Sequence, residues 1–164
     1  MKKPTINPPL RSLDVFLEAL AGLCFLFMLV QLALEYQDLN NMMPTHYDAK
    51  GNPDAWGSKS SLILIASVSI VLYTGLTLLN RYPQLFNFPV TITERNYIKQ
   101  YQLAKSLITA LKLSMMGTFF YIQFQTIRVA RDLQVGLGNY FVTLVIIGSF
   151  VPIIIYFITA IRNK

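Results

Sequence analysis

Long apolar runs alternate with short polar segments along this chain. The runs cover residues 13–36, 61–80, about 101–124 and 140–161. Each reaches the roughly 20 residues that a helix needs to cross a bilayer. The second run carries no charge at all. The third lies inside a longer helical stretch. Thr91-Ile92-Thr93-Glu94 fits a capping box, and no proline or glycine follows until Gly117. Gly136, Gly138 and Asn139 are the stop signals, so the spacing predicts one helix over 92–134. At 1.5 Å per residue it is about 60 Å long and overshoots the bilayer at both ends. The fourth run contains Pro152, where a kink or local opening is expected.

The predicted fold is an all-α integral membrane protein, a four-transmembrane-helix bundle. A structured extracytoplasmic loop, 37–60, joins the first two helices, and the third helix is long. The remaining segments are a tail (1–12), a loop (81–91), a turn (135–139) and an end (162–164). Tyr36, Trp56, Tyr82, Tyr97, Tyr101, Tyr121, Tyr140 and Tyr156 lie mostly near run ends, as an interfacial belt does.

Composition agrees with the pattern. The 164 residues are 54% hydrophobic and 13% charged, against about 25% charged in soluble domains. Mean hydropathy is +0.46. The net charge of +6 is split among tail, loops and one membrane helix. No basic patch interleaved with aromatics appears, which argues against nucleic acid. The charge reads as topological. Lys2, Lys3, Arg11, Arg81, Arg95, Lys99, Arg162 and Lys164 fall on one side, and Lys50, Lys59, Arg128 and Arg131 on the other. Lysine and arginine favour the cytoplasm, so both termini are expected inside and residues 37–60 outside.

The first run follows a basic tail, as in a signal peptide. It is too long for one, Asp14 and Glu18 interrupt its start, and no A-x-A site follows. Leu20-Ala21-Gly22-Leu23-Cys24 departs from a lipoprotein box because Leu23 separates glycine from cysteine. Cys24 is the one cysteine and forms no intrachain disulfide.

Two groups of residues could carry chemistry. The outer loop gathers His46, Tyr47, Asp48, Asp54, Trp56 and Lys59 around a turn at 49–52, with short strands expected over 45–48 and 54–56. His46, Asp48 and Asp54 are ligand types for zinc and related ions. Their irregular spacing matches no recognised metal motif, and no metal is assigned. The alternative is that both aspartates bond turn amides and His46 packs at the helix mouth. The second group is a buried polar track of Glu18, Lys105, Thr109 and Lys112. Lys105 and Lys112 are seven apart and share a helix face. Charge at mid-bilayer costs about 2.5 to 3.5 kcal/mol on insertion scales, so such residues point to ions, protons, lipid headgroups or interhelix glue. A Glu18–Lys105 pair is expected, with Asp14 as another partner, and Lys112 has no evident acidic partner. No catalytic set, phosphate loop, cofactor motif or internal repeat is present.

The outer loop also carries a resemblance. Pro44, His46, Tyr47, Gly51, Pro53, Asp54, Trp56, Gly57 and Lys59 form the pattern Pro-x-His-aromatic-(x)3-Gly-x-Pro-Asp-x-Trp-Gly-x-Lys. This resembles the signature of a bacterial membrane family, the domain of unknown function 1648, strongest over residues 40–60. Weaker similarity continues through residues 78–83 and 89–94. The same domain occurs in the sporulation-delaying-protein immunity family, whose members protect a cell against its own secreted toxin. Those proteins are longer and carry a second half with an Ile-Gly-x-Arg-type motif, which this chain lacks. The resemblance implies the inner membrane of a bacterium and a non-enzymatic protein that binds a peptide, lipid or membrane-protein partner through the outer loop, in toxin immunity or envelope stress. The competing reading is a small membrane enzyme or transport component that combines the loop's His and Asp residues with the buried lysines.

Overall fold

The computed structural model describes residues 3–164; Lys2, counted above among the tail's bases, lies outside them. The chain folds into four long helices and one hairpin: α1 (Ser12–Glu35), β1 (Met42–Tyr47), β2 (Pro53–Ser58), α2 (Ser60–Leu79), α3 (Tyr97–Ala130) and α4 (Phe141–Arg162). Short 3₁₀ turns at Tyr36–Asp38 and Pro83–Leu85 follow α1 and α2.

The helix ends have local causes. Arg11 caps α1, and its backbone N–H donates to Asp14 Oδ2 at 3.2 Å, in the first turn where negative charge suits the helix dipole. The capping box expected at Thr91 and Glu94 does not form. Instead Asn96 accepts from the Thr93 N–H at 2.8 Å and donates to the Thr91 carbonyl at 3.0 Å. That buried amide folds the segment into a turn and delays α3 to Tyr97. At the other end Asp132 takes a left-handed φ of 57°. Leu133 N–H reaches the Arg128 carbonyl at 2.9 Å, and Asp132 N–H the Val129 carbonyl at 3.1 Å. This is a Schellman stop with aspartate where glycine is usual. The helix therefore has 34 residues, about 51 Å at 1.5 Å per residue, and is shorter than the 92–134 expected. α4 runs unbroken through Pro152.

α3 is the central post, packed against α1, α2, α4 and β1. Its buried residues recur at helical spacing: Tyr101, Lys105, Thr109, Lys112, Met116, Gln123 and Ile127. Several of these are polar. The outward faces of α2 and α4 are the reverse, with Leu64, Val71, Leu144, Phe150 and Ile155 exposed. A polar interior inside an apolar coat suits lipid and not water. All four helices are long and apolar enough to cross a membrane. The chain is a multi-pass membrane protein.

Two apolar clusters close the bundle. Leu39, Met43, Leu62 and Ile127 pack under the hairpin. Leu103, Ala104, Tyr156 and Ala160 pack at the opposite end, joined by Phe86 and Phe88. The polar track lies between these clusters.

Candidate functional site

The hairpin is antiparallel, pairing Met42 with Ser58, Pro44 with Trp56 and Tyr47 with Pro53, with irregular register around His46. The strands are longer than the sequence pattern implied. Asp48 builds the turn. Its Oδ1 accepts from the backbone N–H groups of Lys50 and Asn52, both at 2.8 Å, and its Oδ2 from Asn52 Nδ2 at 3.3 Å. These bonds, led by the Asn52 backbone N–H, hold the Asp48 carboxyl below its ordinary range. Gly51 completes the turn at a φ of +83°, which glycine adopts without strain.

Three further contacts seat the hairpin. Tyr47 and Thr126 share a hydroxyl–hydroxyl bond of 2.9 Å, and burial pushes the Tyr47 phenol up. Leu137 N–H donates to the Gly51 carbonyl at 2.7 Å. Lys59 Nζ donates to the carbonyls of Tyr36 and Leu39 at 3.1 Å each and lies 4.9 Å from the Tyr36 ring centre. Tyr47, Asp48 and Lys59 therefore hold the fold.

His46, Asp54 and Trp56 do not. His46 Nδ1 and Asp54 Oδ1 lie 2.6 Å apart, with side chains 70% and 46% exposed. Trp56 is half-exposed beside a groove of about 470 Å³ that also touches Pro53, Val129, Leu133 and Val135. Asp48 is committed to its turn, so the three sequence-level metal candidates separate into a pair and a turn residue. Among the described residues no group of three His, Cys, Asp or Glu side chains is placed to hold a metal ion.

The buried track is a second constellation, and its pairing corrects the sequence expectation. Lys112 Nζ donates to Glu18 Oε1 at 2.5 Å and to Thr77 Oγ1 at 2.8 Å, 5.0 Å from the Tyr73 ring centre. Lys105 does not meet Glu18; its Nζ donates to Asn7 Oδ1 at 2.5 Å and to the Pro8 carbonyl at 2.6 Å. The offset of the helices is the cause. The first turns of α3 run beside the tail, where Tyr101 bonds the Pro4 carbonyl, and Ser106 meets Asp14 only further on. Glu18 thus reaches the level of Lys112. Asp14 bonds Arg11 and Ser106. Thr109 accepts from Asn80 Nδ2 at 3.1 Å.

Sequence reasoning missed Asn7, Thr77 and Asn80 in this cluster. Thr77 and Asn80 stand three apart at the end of an otherwise apolar run, which places them on one helix face. That spacing was the available signal. The hairpin and the lysines do not form one site. Thr126, the hairpin's anchor, lies fourteen residues past Lys112, about 21 Å along α3.

Residues 23–71 match the family model for a domain of unknown function, DUF1648. A 64-residue segment is 42% identical to an uncharacterised protein of Archaeoglobus fulgidus, covering 34% of this chain and 35% of that protein. The similarity thus spans about a third of the relative's length. No solved structure matches the chain. The DUF1648 match runs from the middle of α1 through the hairpin into α2, and it contains His46, Asp54 and Trp56 together with the Asp48 turn.

Proposed function

We propose that this chain is a non-enzymatic membrane protein that recognises a peptide or protein partner with the open face of its hairpin. The carrying observation is the division of labour within the hairpin. Tyr47, Gly51 and Lys59 tie it to the rest of the bundle and Asp48 closes its turn, while His46, Asp54 and Trp56 face outward and, among the described residues, make no side-chain hydrogen bond beyond the hairpin. Polar and aromatic groups presented on a rigid loop are the usual arrangement for recognition, and a half-exposed tryptophan beside a groove is a typical anchor. The unequal division of lysine and arginine supports an outward-facing hairpin in a cytoplasmic membrane. Protection against a secreted toxin is one form of this function, supported by the likeness of the loop signature alone.

Complementation tests the reading. His46→Ala and Asp54→Asn are expected to fail to restore the phenotype of a deletion strain. Both should accumulate in the membrane at wild-type abundance, because an exposed side-chain pair contributes little to stability. Sensitivity of the deletion strain to a peptide toxin identifies the immunity form. Full complementation by both variants at normal abundance refutes the hairpin as the working site.

A further inference from the structure

A cavity of about 220 Å³ opens among the N-terminal tail, α1, α2 and α3, at the end of the bundle opposite the hairpin. Glu18, Asn80, Arg81, Lys105 and Lys112 are among its walls. Three cations thus face one carboxylate. Lys112 is neutralised by Glu18. Lys105 is 5% exposed, and its bonds go to neutral oxygens of Asn7 and Pro8. Among the described residues neither Lys105 nor Arg81 has a carboxylate within ion-pair distance. The buried Lys105 charge is offset only by the Asp14 carboxylate, beyond ion-pair distance, and such a charge is costly at this depth unless something of opposite sign enters.

The unused hydrogen-bonding capacity says what that something is. An ammonium has three donors. Lys105 uses two and keeps one, while Lys112 uses two and also lies against the Tyr73 ring. The Arg81 side chain makes no hydrogen bond to the described residues, and its guanidinium fork stands at the exposed rim. Two of the residues lining this cavity keep a buried acceptor without a protein donor, Glu18 Oε2 and Asn80 Oδ1. Asn80 is 7% exposed. A metal cation is repelled by the net charge. A bare anion such as chloride serves the cations but leaves both acceptors empty. A phosphate group that also carries hydroxyls serves both, its oxygens taking the lysine and arginine donors and its hydroxyls donating to Glu18 and Asn80.

We propose that this cavity binds a hydroxyl-bearing phosphate, either the headgroup of a glycerol phospholipid or free protonated phosphate. Lys105 and Lys112 supply the inner charge, Arg81 the bidentate grip at the mouth, and Asn80 and Glu18 the selectivity for a donor. The α helical geometry favours this placement. Side chains on α1 and α3 lean toward their own N-termini, so Glu18, Lys105 and Lys112 all lean toward the bundle end where headgroups lie.

The full chain in a non-ionic detergent is titrated separately with phosphatidylglycerol, with phosphatidylcholine of the same acyl chains, and with inorganic phosphate. Binding is read by native mass spectrometry and by the shift in thermal unfolding. Saturable binding of one phosphatidylglycerol per chain, about tenfold or more tighter than phosphatidylcholine, assigns the site to a headgroup; saturable binding of inorganic phosphate assigns it to the free ion. Arg81→Gln and Lys105→Met should each weaken the bound probe by about tenfold or more. Lys105 also ties down the tail, so Arg81→Gln, which removes no side-chain hydrogen bond or ion pair to the described residues, decides the matter if Lys105→Met does not fold. The proposal is overturned if neither phosphatidylglycerol over phosphatidylcholine nor inorganic phosphate binds saturably, or if folded Arg81→Gln binds as wild type does.

Discussion

Lys112 is 1% exposed and depends on Glu18 for its compensating charge. Breaking a buried pair from one side strands the other charge, which typically destabilises by about 3–5 kcal/mol. Glu18→Gln should therefore lower stability strongly, and Glu18→Gln with Lys112→Met should recover much of the loss. Unfolding midpoints of the four proteins in detergent measure the coupling. Additive losses would show that the two residues are not partners. Glu18→Gln with Lys105→Met should be near additive, since Lys105 bonds the tail instead. The charged members of this cluster were legible as residues out of place in apolar runs. Their pairing was not, because it depends on how far α3 is displaced along α1, and no local pattern encodes that displacement. Asn7 was invisible for the same reason, since only the tail's path beside α3 brings it to Lys105.

At the scale of elements, the hairpin is held by a backbone-to-backbone approach as well as by side chains. A Cβ at Gly136 would stand 2.2 Å from the Gly51 carbonyl oxygen, closer than two atoms can pack. Gly136→Ala must push the α3–α4 connection away from the turn and strain the Leu137–Gly51 bond. A loss of about 1–3 kcal/mol is expected, the usual range for overpacking. Gly75→Ala and Gly117→Ala are the controls, because a Cβ there meets nothing within 4 Å, and alanine favours a helix by up to about 1 kcal/mol. Limited proteolysis of the hairpin, with thermal unfolding, separates the cases; equal behaviour of all three variants would refute the close approach. The turn itself was readable from Asp48, Gly51 and Asn52. The partner segment at 136–138 was not, since those glycines read equally well as a helix stop. The ends of α3 shifted for a related reason: Asn96 and Asp132 use side-chain and left-handed conformations that compete with the expected caps.

At the scale of the molecule, helix number and the polar-in, apolar-out arrangement followed from run length and from charges inside runs, which are local properties of the sequence. Hydrogen bonds now sort the connections into two ends. Lys3 to Phe86, Tyr101 to Pro4 and Gln100 to Asn163 gather the tail, the α2–α3 connection and the end of α4. Tyr47 to Thr126 and Leu137 to Gly51, with the Arg131–Glu35 ion pair, gather the hairpin, the end of α1 and the α3–α4 connection. The excess of lysine and arginine at the first end gives a labelling prediction. In a Cys24→Ser background, a cysteine at Asn52 should react with an impermeant thiol reagent added outside intact cells, and one at Asn87 should not. Both positions are exposed, so the reverse pattern would invert the orientation.

The Glu18–Lys112 bond joins residues 94 apart in the chain, and this separation has a consequence in time. Chains grow at about 5–20 residues per second. Glu18 is therefore made some 5 to 20 seconds before Lys112. For that interval Glu18 lacks its ammonium partner, and for the first part of it Thr77 as well. Until α3 is made, the first helix carries a carboxylate without its counter-charge, which is costly inside a bilayer. The charge balance of α1 is completed only when α3 packs beside it.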